Sequence, residues 1–361
     1  MRLWLLLGLA FSACYDDPIL INPYERTTAA QEVDRERQAV VPPENCGNGE
    51  LDTGEQCDDG NRIDNDACTN LCQERTVTTQ LLARPIIDAV AGSRRFERND
   101  QGEVVLAPFQ AVRFSGRDST VPQGSVAAYQ WSLEPADGGL VPAGSQIFFD
   151  DPTKDRPRLM YSVNGDERPG VDLIGTYRVA LRIQDERGTW SSFASVAFEA
   201  RPNRALWIEI NWDRDRHDVD LHLIRTGDRD LAFDSQQDCF FSNCIPRTPG
   251  VASLNWGGSS AGDDPLLDVD DVDGLGPEVI SVPAPEANMD YLIALHMFRL
   301  DFGSATTVSL KVLVDGEVVA ELSRELPSQN DWWEAVRLRW GDEVEVDIVD
   351  EHFDDAPNRF P

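Results

Sequence analysis

Between residues 78 and 350 several short segments carry apolar residues at every second position, and that period decides what this chain can fold into. Val112 and Phe114, Tyr129 and Trp131, and Tyr177, Val179, Leu181 and Ile183 alternate with polar neighbours. Leu206, Ile208, Ile210 and Trp212 do the same. In DVDLHLI, Val219, Leu221 and Leu223 share one strand face, and Asp218, Asp220 and His222 share the other. Gly, Pro, Asp and Asn interrupt the pattern at short intervals, Asp315-Gly316 marks a hairpin, and helical periodicity is absent. The expectation is an all-β chain with two β-sandwich domains, residues 78–201 and 203–350, followed by a frayed acidic tail, 351–361.

The segment before the strands cannot build such a core. Residues 46–72 read CGNGELDTGEQCDDGNRIDNDACTNLC and consist mostly of turn formers. Cross-links must fix a segment with so little apolar mass. The chain has seven cysteines: Cys14, Cys46, Cys57, Cys68, Cys72, Cys239 and Cys244. Setting Cys14 aside leaves an even set for disulfides in an exported protein, with the connectivity inside 46–72 open. A zinc site on the four clustered cysteines is the rival, and an oxidising compartment disfavours it.

Export is read from the N-terminus. MRLWLLLGLAFSAC places Arg2 before an apolar run and small residues before Cys14. Residues 1–13 read as a signal peptide too short to span a bilayer. The stretch resembles a bacterial lipobox, with Phe11 where leucine is usual. That resemblance implies lipidation of Cys14 and a protein held to the bilayer by that lipid alone. Residues 14–43 are polar and rich in proline, as a flexible tether would be. Localisation is then the bacterial cell envelope, at the outer membrane or cell surface.

The net charge is −32, which disfavours nucleic acid and anionic membrane surfaces as partners. The charge is spread along the chain, with a local concentration at LDVDDVDGLGPE, residues 267–278.

Three motifs resemble known families. Cys46-Gly47-Asn48-Gly49, Gly54-Glu55-Gln56-Cys57-Asp58-Asp59-Gly60-Asn61, Asp66-Ala67-Cys68 and Cys72 resemble the myxobacterial cysteine-rich repeat, present here as one copy. AVRFSGRDS, AAYQWSLEP and GTYRVALRIQDERGTW resemble PKD-type immunoglobulin-like domains, which implies that Trp131 is the core tryptophan. WIEINWDRDRHDVDLHL, DCFFSNC, the acidic loop ending GPE and YLIALHMF resemble an uncharacterised exported bacterial β-sandwich family. None of the three resemblances implies catalysis, so the chain is expected not to be an enzyme.

The acidic loop raises the question of a metal. With Gly274 at position six of an EF-hand, position one is Val269 and position twelve is Ile280, so that motif is excluded. Calcium ligands can instead come from two segments. Asp218 and Asp220 on DVDLH, with Asp268, Asp270, Asp271 and Asp273 from the loop, form the candidate set for a structural calcium ion. His222 suits zinc or manganese, or else hydrogen-bonds a carboxylate beside it. A Cys239–Cys244 disulfide would staple FFSN and offer Phe240 and Phe241 as a contact surface, the alternative being that one of them is buried. Ser260 lies in GSSAG, a G-x-S-x-G match with no helix pattern after it, which argues against a serine nucleophile. The function expected is binding or scaffolding at the envelope, toward a protein or glycan ligand. A hydrolase and a purely structural component are the alternatives.

Overall fold

The computed structural model describes residues 43–62, 68–74, 80–245, 254–257 and 262–357, without the side chain of Phe302. Residues 1–42, among them Cys14, lie outside the described residues, as do Asp66 and Ser260. The chain divides into two compact units, Met1–Val77 and Thr78–Pro361.

In the first unit the described residues form turns held by two disulfides, Cys46–Cys72 and Cys57–Cys68. Its apolar cluster is made of cysteine: Cys46, Cys68 and Cys72 are buried, with Cys57 against them. Asp58 organises the turns. Its carboxylate accepts from the backbone N–H of Gly47, Asn48, Gly49 and Gly60 at 2.7, 3.1, 2.8 and 2.8 Å. Gly47 has φ +84°, and a Cβ there would stand 2.7 Å from the Asn61 carbonyl oxygen.

The second unit is built from strands; among its described residues the helical elements are short 3-10 turns. The first ten strands are β1 Ile86–Val90, β2 Glu97–Arg98, β3 Val104–Leu106, β4 Val112–Ser115, β5 Val126–Ser132, β6 Phe148–Phe149, β7 Leu159–Val163, β8 Asp166–Pro169, β9 Gly175–Asp185 and β10 Ala194–Ala200. Sheet β2-β3-β10-β9-β5 faces the pair β1-β4 and the sheet β6-β7-β8. β3 runs parallel to β10, and every other ladder is antiparallel. Trp131 is in this core, with its ring centroid 5.8 Å from that of Phe114 and its Nε1 donating to the Lys154 carbonyl at 2.8 Å.

The remaining strands are β11 Leu206–Trp212, β12 Asp218–Arg225, β13 Asp238–Cys239, β14 Leu266–Val269, β15 Glu278–Val282, β16 Met289–Arg299, β17 Thr306–Val314, β18 Glu317–Leu326, β19 Trp332–Trp340 and β20 Glu345–Phe353. Sheets β14-β15-β11-β17-β18 and β13-β12-β16-β19-β20 enclose the larger core. Inward residues of β12 and β16, among them Val219, Leu221, Leu223, Ile293 and Leu295, are fully buried there. Each contributes about 1.5–3 kcal/mol by leaving water. Asp315 and Gly316 turn β17 into β18 with φ of 50° and 83°, the left-handed pair a two-residue hairpin needs.

The polar face of β12 is also covered, which the period-two reading did not anticipate. The segment after β12 folds over it and forms a second small core of Ile224, Ala232, Leu292, Ala294, Trp332 and Ala356. Two expectations are corrected here. The tail does not fray at residue 351: β20 runs to Phe353, and Ala356 is buried in that small core. Phe240 is not a contact surface either. The Cys239–Cys244 disulfide forms, but Phe240 is 2% exposed and stacks on His222 at 5.4 Å. Phe241 is only partly buried, 6.0 Å from the exposed Phe298 ring.

The two sandwiches of this unit meet through apolar groups and two polar clamps. Ile174 packs with Trp207, Val279 and Leu313, and Tyr161 and Val163 pack with Val269. Glu209 accepts from the Ile174 N–H at 3.0 Å and from Trp207 Nε1 at 3.4 Å. Asn164, in the β7–β8 turn, donates from Nδ2 to the Asp270 carbonyl at 2.7 Å and accepts the Val272 N–H at 2.8 Å.

Candidate metal centre

Strand alternation places Asp218, Asp220 and His222 on one face of β12, successive members about 6–7 Å apart along the strand. The antiparallel register sets His296 of β16 opposite Asp220, and the small Ala294 opposite His222. His296 Nδ1 stands 3.4 Å from Asp220 Oδ2. The acidic loop brings Asp270, and the first residue of β15 brings Glu278. Glu278 is wholly buried and reaches across to the free edge of β12, where Oε1 accepts the Leu221 N–H at 2.9 Å.

Electrostatics ties these carboxylates together. Burial pushes Asp218 up to about 8, and the charges of Asp220, Asp270 and Asp271 add to that against the pull of Arg299. Burial and the charges of Asp220 and Asp271 push Asp270 up to about 6. Glu278 is raised well above the ordinary glutamate range by burial, then by Asp220 and Asp270. Arg299 Nη1 is 3.8 Å from Asp218 Oδ2, at the long end of an ion pair. One such contact does not offset four clustered carboxylates.

Donors are missing where they are most needed. Asp218 Oδ1, Asp270 Oδ1, Glu278 Oε2, His222 Nε2 and His296 Nε2 are buried without a hydrogen-bond partner. Each such atom costs about 1–3 kcal/mol in desolvation, more if charged. A divalent cation is a small species that both carboxylate oxygens and imidazole nitrogens accept as a partner. Asp220, His222 and His296 form a wholly buried donor group, with one ligand atom of each within 4.8 Å of the others.

Of the six aspartates expected as ligands, three gather here: Asp218, Asp220 and Asp270. Asp271 lies beside them but is spent on the loop, accepting the N–H of Gly276 at 2.9 Å and of Asn164 at 3.4 Å. Gly274 is required by that arrangement, since a Cβ there would come within 2.3 Å of Asp271 Oδ2. Asp268 sits at a bulge in the β14–β15 ladder and accepts from Ser281 Oγ at 2.5 Å. Asp273 is exposed, and its carbonyl takes the Arg216 N–H. Neither Asp268 nor Asp273 joins the cluster.

Sequence reasoning missed Glu278, His296 and Asp238 as members of the site. Glu278 was visible as the end of the GPE motif, and His296 as the polar-face position of YLIALHMF. Asp238 carried no signal, because its role depends on how the segment after β12 folds back. His222 does bond a carboxylate: Nδ1 is 2.7 Å from Asp238 Oδ2.

Among the described residues the other such groups are Asp331–His352–Asp354 and Cys46–Glu55–Cys72. The first is partly exposed, and in the second the cysteines are joined to each other. No family model, no curated protein and no solved structure matches this chain.

Proposed function

We propose that this chain is an exported, lipid-anchored envelope protein that binds or scaffolds, with its C-terminal sandwich pinned by calcium. Asp218, Asp220, Asp270 and Glu278 supply the oxygens. The observation that carries the reading is the set of buried carboxylate oxygens without donors on Asp218, Asp270 and Glu278. The ion joins the free edge of β12 to the acidic loop and to β15, three segments whose carboxylates repel one another when ionised.

The same loop forms one wall of a cleft of about 620 Å³ between the sandwiches, lined by Asn164, Arg216, Asp271, Arg299 and Asp301 among others. Those polar groups suit a peptide or glycan. Calcium that fixes the loop also fixes the cleft, so ligand binding becomes calcium-dependent. Lipidation of Cys14 would hold this module at the cell surface.

The test is the melting temperature of the whole chain in calcium and in EDTA. Saturating calcium raises it by about 5–10 °C, the shift for a ligand at 100 times its Kd on a domain of this size. Asp270→Asn and Asp220→Asn abolish the rise. An unchanged melting temperature rejects the calcium reading.

A further inference from the structure

We propose that Asp220, His222 and His296 form a site for a borderline transition-metal ion of the zinc class, distinct from the carboxylate calcium site and meeting it at Asp220. This goes beyond the calcium reading and stands if that reading fails.

The donor chemistry is the first argument. Calcium takes oxygen ligands, whereas imidazole suits zinc, copper, iron and nickel. Here two imidazoles and one carboxylate present ligand atoms within 4.8 Å of one another. The three residues are 0%, 6% and 3% exposed for His222, His296 and Asp220.

An ordinary core histidine that bonds a carboxylate accounts for His222 Nδ1 and for nothing else. It leaves Nε2 of both His222 and His296 buried and unpaired. A metal ion held by these residues would give such a nitrogen its partner.

The surroundings match a metal ligand's support. His222 Nδ1 is held at 2.7 Å by Asp238, whose Oδ2 is itself fixed by the Phe233 N–H at 2.7 Å. A carboxylate on the far nitrogen orients a ligating imidazole and raises its basicity. Phe233, Phe240 and Trp332 wall the ring at centroid distances of 4.8, 5.4 and 4.9 Å, which keeps the site dry. The separation of His296 Nδ1 from Asp220 Oδ2 is long for a hydrogen bond at 3.4 Å.

The experiment strips the whole chain with EDTA and titrates it with cobalt(II), whose visible absorption reports nitrogen ligation, then displaces cobalt with zinc. One equivalent binds, excess calcium does not displace it, and His296→Asn abolishes the absorption. Asp238→Asn, which leaves the ligands in place, weakens binding about 10–100-fold. His222 is fully buried, so its role is read without a variant. In the wild-type chain, zinc shifts the ring nitrogens of His222 and His296 and leaves those of His352 in place, a simple spectrum because the chain has four histidines. Unmoved His222 and His296 signals, or undiminished cobalt affinity in His296→Asn, overturn the proposal. Cobalt binding in a chain whose melting ignores calcium sinks the calcium reading alone. The opposite pattern sinks this site alone.

Discussion

Asp58 in the cysteine-rich unit is half-buried and Glu278 in the C-terminal sandwich is wholly buried, and the backbone around each supplies donors very differently. Asp58 collects four backbone N–H groups. Burial pushes its carboxyl up, yet the N–H groups of Gly60, Gly49, Gly47 and Asn48 outweigh that and hold it below the usual aspartate value. Glu278 receives the Leu221 N–H, and its second oxygen receives nothing. The reason lies in the backbone. Gly47, Gly49 and Gly60 take φ of 84°, 86° and 78°, which turns successive N–H groups toward one anion. Strands commit their N–H groups to the ladder, so β12 has few to spare for the acids beside it. A loop can build its own anion hole. A strand offers a buried acid fewer donors.

Glu209 shows a third outcome. It has two N–H donors, but it is buried at the joint between sandwiches, and burial pushes its carboxyl up to about 8 against the Ile174 N–H and Lys311. It keeps its proton at neutral pH.

The comparison breaks most sharply at Asp270. In EDTA at alkaline pH, Asp270→Asn removes one repelling charge from the cluster and stabilises the chain by about 1–3 kcal/mol. In saturating calcium the same substitution removes a ligand and destabilises it. Denaturant melts under both conditions check the inversion; the same sign in both would mean that Asp270 sees no cation.

Glu209 gives the next largest effect. Its folded pKa lies above its unfolded one, so its contribution is full at acid pH and is lost as pH rises toward about 8. Between about pH 6 and pH 8 the second unit loses on the order of 2 kcal/mol from this group. Glu209→Gln keeps an acceptor for the Ile174 N–H and flattens that part of the pH profile. A profile as steep in the variant as in the wild type would assign the loss elsewhere.

Asp58→Ala gives the smallest change in melting of the second unit, namely none. Its effect is local: the Cys46–Cys72 and Cys57–Cys68 bonds become faster to reduce by dithiothreitol, with or without calcium. Calcium protection of those bonds would place a cation in the repeat and erase the contrast.

Much of the fold was legible because it rests on period and turn chemistry. DVDLHLI divided its faces as expected, Asp315-Gly316 made its hairpin, and the cysteine-rich segment formed disulfides. The site was legible only in part. Asp218 and Asp220 are set by alternation on one strand. Asp268 is turned aside by a bulge, and Asp273 by the loop's path, neither of which leaves a mark in composition. His296 enters through cross-strand register, and Asp238 through the fold-back of the segment after β12. That fold-back also buried Phe240 and held the end of β20, because the outer face of the β12 sheet carries apolar residues that needed cover.

The most direct test is a calorimetric titration of the EDTA-stripped whole chain with calcium, in wild type, Asp58→Asn and Asp220→Asn. The account predicts saturable binding by wild type and Asp58→Asn, and none by Asp220→Asn. Binding that survives Asp220→Asn and disappears in Asp58→Asn, or no binding in any of the three, would contradict it.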